Sequence, residues 1–535
     1  MYKVFISGLF MILFCLNVFS QAGVWDVFAS GAKGDGKTND TKAIQAAVDK
    51  CHQAGGGKVL LHGGCFLSGT INLKSHVTLH IEAGAVLQGS ASLSDFPTPA
   101  STYPPGEYNE GKALIYAENA ENISVTGSGM IDGRGDILYY PELIRPHILF
   151  FRGCCNVRVR DLKLYNAAFW VQKYQSCNNL LIDGVTVDSR ENKDIEKPRY
   201  ADVPGRNTDG CNIVDCSNVR ITNCHIVSGD DGIVFKSFAR NEGCHQVTVS
   251  NCIISTNAAG IKIGTETAGV FRDFTINNCV VYDTRGSGIG IMTVDGSIVE
   301  RILVSNITLR NIKGTAIFIR IGNRNRPYGN GEVTTMSTMK DVLIQNVYGT
   351  GIERYGCSIT GIPDAFVEGI TLDNIQLSFT GGLDPLYFEG NINRPEKVLT
   401  VDNVPEKEKD YPRSEMFGKL PAYGFYIRHA NNIKFNNVTL DYVLDENRPA
   451  LVADDVNGLL IDRLHAKPTK SPLIYLKNVQ KATVSHAIVT DETPVFLYLS
   501  GSRTKNIRLI SNQLESVKKK ADAENPVLLN QIKEL

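Results

Sequence analysis

The 535-residue chain lacks a charge excess: 55 lysines and arginines face 56 aspartates and glutamates, a formal net charge of −1. That balance does not recommend nucleic acid or another bulk anionic partner, although a groove can still be locally basic. Long apolar runs are lacking too. A single one extends from Val4 to Val18 behind Lys3, and the small residues Ser20 and Ala22 follow it. It is short for a membrane span, which takes about 20 apolar residues. It reads as an export signal over residues 1–22, so no membrane attachment is expected after its removal, and the protein is placed in the periplasm or outside the cell. Cys15 follows the bulky Phe14, which argues against a lipidated terminus. No C-x-x-C pair stands beside a suitable histidine, so neither a metal nor any other cofactor is expected. Of the 13 cysteines, Cys224, Cys252 and Cys279 each follow an asparagine at the same point of successive repeats. They predict a stacked column of small buried thiols rather than disulfides.

Clear helical periodicity is scarce, whereas glycine is abundant at 49 residues, and 43% of the chain is hydrophobic. Many turns around a large core are implied. A repeat organises them. Asn156-Val157-Arg158-Val159 returns as Asn179-Leu180-Leu181-Ile182, Asn218-Val219-Arg220-Ile221 and Gln246-Val247-Thr248-Val249. Later copies include Asp341-Val342-Leu343-Ile344, Asn432-Ile433-Lys434-Phe435 and Asn506-Ile507-Arg508-Leu509. The step is about 22 to 28 residues, the size of one three-strand coil. Short alternating strands at that period predict an all-β fold, a right-handed parallel β-helix forming a single solenoid over residues 23–515.

Near its start, Asp40 offers an N-cap for a helix running to about Gln53, with Ile44, Val48 and Cys51 on one face. Such a capping helix would cover the open end of the first coil. Polar stretches at Gly133–Pro146, Arg190–Gly205, Asn323–Thr338 and Gly381–Pro421 exceed a plain turn and read as loops. Loops that wall a groove and close its ends favour attack at a chain end; that they only decorate the surface stays open. Residues 516–535, with Lys518-Lys519-Lys520, leave the pattern and read as a helical or frayed tail.

Chemistry concentrates in Asn207-Thr208-Asp209-Gly210 and Gly229-Asp230-Asp231-Gly232, about one coil apart. Stacked rungs lie about 4.8 Å apart, so these carboxylates can flank one bond with room for a water, as in an inverting glycosidase. Mutual repulsion raises their pKa values and supplies a protonated acid beside ionised bases. Asp, Asn and Gly also favour turns, and a purely structural ladder is the competing reading.

The pair N-T-D-G and G-D-D-G-I resembles the polygalacturonase family, family 28 of the glycoside hydrolases. Asn166-Ala167-Ala168-Phe169-Trp170 resembles its S-P-x-W coil and Ile263-Gly264-Thr265-Glu266 its I-G-S strand. The likeness runs from Val24 past Phe435. It implies an exported hydrolase of bacterial type acting on pectic poly- or oligosaccharide, as a monomer. Asp230 would be the general acid, Asp209 and Asp231 would activate and hold the water, and Asn207 would orient the first cluster. Trp170 would stack on a sugar or pack the groove floor.

Two departures from the family pattern stand out. Ala258-Ala259-Gly260 replaces Gly-His-Gly, and Gly290-Ile291-Met292 replaces the Arg-Ile-Lys that would grip a substrate carboxylate. His225, His245 and His429 do not fill the gap by position. Strand alternation in Gly260-Ile261-Lys262-Ile263 and Ile317-Phe318-Ile319-Arg320 leaves Lys262 and Arg320 facing out, where they are expected either to bind the carboxylate instead or merely to solubilise the outer face. The alternative readings are a polysaccharide lyase and a non-catalytic carbohydrate-binding β-helix.

Overall fold

The computed structural model describes residues 23–101, 103, 111–136, 145–190, 207–328, 335–382 and 399–535. The expected signal over residues 1–22 and nearly all of the loop expected at Arg190–Gly205 lie outside them. The described strands pair in parallel from coil to coil, and the chain winds as a right-handed β-helix. Cys211–Val214 pairs with Ile233–Ser237, and Ile261–Thr267, Ile289–Thr293 and Ile317–Ile321 follow in turn. Within this column Cys211, Ile233, Ile261, Ile289 and Ile317 are in register, and all are buried in one continuous core. The residue after each of them points out of the coil: Asn212, Val234, Lys262, Gly290 and Phe318. The period-2 pattern therefore assigns the inner face correctly.

The corners have a physical reason as well. From Val270 onward, the second and third strands of a coil merge into single bent strands such as Val270–Thr284, Ile298–Ile312 and Thr338–Ile352. At the bend stand Asn278, Asn306, Asn346, Asn374 and Asn437, all with φ between 50° and 56°. Asparagine tolerates this left-handed conformation because its short amide bonds locally. Here the last four amides each also donate to the one before them in the stack, at 2.9–3.1 Å. The cysteine column is present beside it. Cys224, Cys252 and Cys279 are buried, free, and each donates to a backbone carbonyl at 3.2–3.3 Å.

The capping helix spans Thr41–Gln53 and buries Ile44, Ala47, Val48 and Cys51 against the first coil. Asp40 does occupy the N-cap position, but its side chain caps nothing. Its carboxylate instead accepts the backbone N–H groups of Lys33 and Gly34 at 2.7 and 2.9 Å, closing the glycine-rich loop before the helix. The C-terminal tail departs from expectation. In residues 516–535 a 3₁₀ helix at Pro526–Gln531 stands between two strands, and these strands, Val517–Ala523 and Ile532–Glu534, add in parallel to Thr493–Ser500 and Lys505–Ile510. The three lysines lie in one of these edge strands, where charge is compatible with an exposed ladder and discourages further pairing.

One loop matters for the site. Residues 399–424 lie against the outer face of the coil, where Val404, Met416, Phe417 and Leu420 pack on Met292, Phe318, Tyr426 and Val452. Ionic contacts pin the same loop. Arg428 pairs with Glu406, His429 meets Glu406 at 3.2 Å, and Lys477 meets Asp402 at 2.8 Å.

Candidate active site

The two acidic motifs occupy the same turn on adjacent coils. Gly210 N–H donates to the Asp231 carbonyl at 2.8 Å, and Gly232 N–H to that of Ala259 at 2.8 Å. Continuing the register Cys211↔Ile233 back along both strands sets Asp209 beside Asp231 and Thr208 beside Asp230. Glycine after each aspartate is a packing requirement. A Cβ on Gly210 would sit 2.7 Å from the Gly232 carbonyl oxygen, and one on Gly232 would sit 2.5 Å from that of Gly260.

The three carboxyl groups have different surroundings. Asp209 is buried, with Oδ2 3.3 Å from the Lys236 ammonium, while Oδ1 has no hydrogen-bond partner. Burial pushes its carboxyl up to about 8, the charges of Asp230 and Asp231 adding to the rise and Lys236 opposing it. Asp231 is held at both oxygens: Ala259 N–H donates to Oδ1 at 3.1 Å, and Lys262 Nζ meets Oδ2 at 2.8 Å. Asp230 keeps partial exposure. Its Oδ1 accepts the Asp231 N–H at 2.9 Å and its Oδ2 accepts the Asn207 amide at 3.3 Å. Burial, then the Asp231 charge, raises its carboxyl above the ordinary carboxylate range. Asp230 and Asp231 both line a pocket of about 290 Å³, roofed by Tyr411 and Arg413 of the 399–424 loop.

Asn207, expected to orient its own cluster, instead reaches the second one: its amide donates to Asp230, and its Oδ1 accepts the guanidinium of Arg145 at 3.0 Å. Of the other three, Lys262 and Arg320 differ from their reading, and Trp170 takes the packing alternative. Lys262 faces out of the coil, but its ammonium serves Asp231. Arg320 also faces out and is 1% exposed. Its guanidinium is consumed by the backbone carbonyls of Gly361, Glu406 and Lys407 at 2.6–3.3 Å, beneath the loop. Trp170 is 5% exposed, stacked on Phe169 with ring centroids 5.4 Å apart, and carries the Lys236 ammonium 3.8 Å from its ring centroid. Little of its ring is left for a sugar, and it packs the floor beneath Lys236.

Lys236 and Glu266 were not singled out from the sequence, yet they complete the site. The Lys236 ammonium lies 3.5 Å from Glu266 and 3.3 Å from Asp209. Burial opposes its charge, but Asp209 and Glu266 hold its pKa above the ordinary lysine value. Glu266 in turn stays below the usual carboxylate range despite burial, because Lys236 and then Arg324 favour its anion. Lys236 had a signal in sequence, since a lysine following Phe235 alternates outward from an apolar strand. Arg145 and Tyr411 had none, because each reaches the site from a loop.

This arrangement places a partly exposed acid, raised above the ordinary carboxylate range, beside an ion-paired carboxylate on one wall of a pocket. It can donate a proton to a leaving oxygen and hold a water.

Comparison with known proteins points the same way. The family model of glycosyl hydrolases family 28 matches residues 51–396. A probable polygalacturonase of Vitis vinifera is 29% identical over 377 residues, covering 65% of this chain and 72% of its own length. An exopolygalacturonase of Zea mays is 26% identical over 382 residues, covering 67% and 84%. In fold, the chain resembles a hyperthermoactive exopolygalacturonase of Thermotoga maritima, with a TM-score of 0.59 at 19% identity over 78% of this chain and 92% of that one. With a family model over most of the chain, two aspartates lining its pocket and a third on the rung beside them, this protein belongs to glycosyl hydrolases family 28 and is a polygalacturonase-like glycoside hydrolase.

Proposed function

We propose that the protein is an exported, inverting hydrolase of O-glycosidic bonds in pectic chains built on galacturonate, acting at a chain end. The observation that carries this reading is the pair of stacked turns that presents Asp230 and Asp231 to one pocket, with Asp209 on the rung beside Asp231. Asp230 is the general acid. It is partly exposed, and burial with the neighbouring Asp231 charge favours its protonated form. Asp231, anchored by Lys262 and Ala259 N–H, and Asp209, anchored by Lys236, orient and deprotonate the attacking water. Water attacking from the opposite side of the ring inverts the anomeric centre. Chain-end action is supported by the 399–424 loop, which walls the pocket on the side of the later coils. The name of the maize relative leans the same way. Export is supported by Lys3 and the apolar run behind it.

The test is direct. Asp209→Asn, Asp230→Asn and Asp231→Asn should each lower kcat on oligogalacturonates by about 10²–10⁴-fold or more in a protein that still folds, Asp231→Asn with a lower melting temperature because it strands the buried Lys262 ammonium. Near-normal turnover in Asp230→Asn would remove it as the acid. An unsaturated product, seen by ultraviolet absorbance in place of new reducing ends, would overturn hydrolysis itself.

A further inference from the structure

The pocket beside Asp230 and Asp231 contains three cations, and their commitments differ. Lys262 is bound to Asp231 at 2.8 Å. Arg285 and Arg413 also line the pocket, both side chains are exposed, and neither guanidinium has a hydrogen bond or ion pair among the described residues. Unspent positive charge in a pocket that also holds Asp230, Asp231 and Glu415 is an arrangement suited to an incoming anion.

The location of Arg285 sharpens this. Gly260 N–H donates to the Ser287 carbonyl at 2.9 Å, just as Gly232 N–H does to that of Ala259. The turn Arg285-Gly286-Ser287-Gly288 therefore repeats the catalytic turn two rungs further on, roughly 10 Å along the axis. Arg285 takes the position that Gly229 holds in the catalytic turn. It lies on the same coil as Gly290 and Met292, whose strand pairs with Ile261–Thr267. That strand contributes the apolar Met292 side chain to the pocket, and no charge. Arg413 approaches from the other wall, on the 399–424 loop next to Tyr411 and Pro412. The loop is held by Arg320, Arg428, His429 and Lys477, so Arg413 is presented from an anchored segment.

We propose that Arg285 and Arg413 form a carboxylate-reading subsite, which takes the uronate carboxylate of the sugar lying on the later-coil side of the cleaved bond. This rests on the proposed action on galacturonate chains and adds the residues that select the charged sugar over its neutral counterpart. Guanidinium groups suit the task because their paired donors match both oxygens of a carboxylate. Lys262 and Arg320 are spent on the protein itself and act in this subsite only by holding its walls.

The experiment separates binding from turnover. Trigalacturonate and its methyl ester are titrated calorimetrically into the full chain carrying Asp230→Asn, alone and with Arg285→Ala or Arg413→Ala. Trigalacturonate should bind more tightly than the ester. Each arginine substitution should weaken the acid at least tenfold and the ester less than threefold, and Arg285→Lys should recover part of the loss. Both side chains are exposed and pair with nothing described, so melting should not change. Equal affinity of parent and both variants for trigalacturonate, or equal affinity of the parent for acid and ester, overturns the subsite. Because the readout is binding, it stands or falls apart from the roles assigned to the aspartates, which turnover alone judges.

Discussion

Replacing Lys236 by methionine keeps the stem of the side chain and removes its ammonium, which stands 3.3 Å from Asp209 Oδ2. At an effective dielectric constant of about 20, unit charges at that separation interact by about 5 kcal/mol. A tenfold change in an acid's ionisation constant corresponds to about 1.4 kcal/mol, so the unrelaxed effect would raise the Asp209 pKa by about three to four. Water entering the vacated space and the release of Glu266, 3.5 Å from the same ammonium, reduce it, and a rise of at least about one should survive. Its sign follows from charge. Lys236 favours the Asp209 carboxylate, so removing it moves an acid already near 8 further up. Asp209 works deprotonated in the proposed reaction, and the acid limb of kcat/KM against pH should therefore move to higher pH. At a fixed pH on that limb, the rate falls about tenfold for each whole pH step by which the limb moves. Lys236→Arg, which restores a cation, should bring the limb back towards its original position. The assay is initial rates of reducing-end release from oligogalacturonate across both limbs. An unmoved acid limb with only a lower plateau would refute the electrostatic argument and leave Lys236 as packing over Trp170.

Three further outcomes are expected. NMR of the nascent product should show inverted anomeric configuration, and chelators should leave the rate unchanged, because Lys236 and Lys262 already stand at Asp209 and Asp231; retention would exclude direct attack by water. Arg448 meets buried Glu446 at 2.7 Å and donates to the carbonyls of Arg354, Leu420 and Ala422. Arg448→Met should cost about 3–5 kcal/mol by stranding the Glu446 charge, read as a lower urea midpoint, with Glu446→Gln in the same chain recovering part of it. Among the described thiols Cys155 is the exposed one, so a thiol reagent should label it first in the native protein, Cys65 more slowly, and the buried set only on unfolding.

The β-helix was legible because its information is local. Each rung repeats an asparagine or aspartate corner and an alternating apolar strand, and alternation alone decides which side chains fill the coil. The same locality exposed the three aspartates, since Asn207–Gly210 and Gly229–Gly232 each lie within one turn and are separated by one coil. Asp40 marks a first limit: composition put it at the N-cap, while its carboxylate turned back to the Lys33 and Gly34 N–H groups. The tail marks a second. Lys518-Lys519-Lys520 looks unlike a strand, yet an edge of exposed ladder in the folded coil gave it parallel partners.

What tertiary structure alone decided is where outward-facing charges are spent. Alternation predicts that Lys262 and Arg320 leave the coil, and they do. It carries no information on what meets them there. Lys262 finds Asp231, 31 residues earlier, and Arg320 finds carbonyls of a loop 86 residues later, because a solenoid brings neighbouring coils together whatever lies between them in sequence. A polar group that is buried must be satisfied by whichever partner the fold supplies. The cations that reach the pocket unspent, Arg285 on a turn and Arg413 on a loop, therefore belong to segments in which no periodicity announces direction.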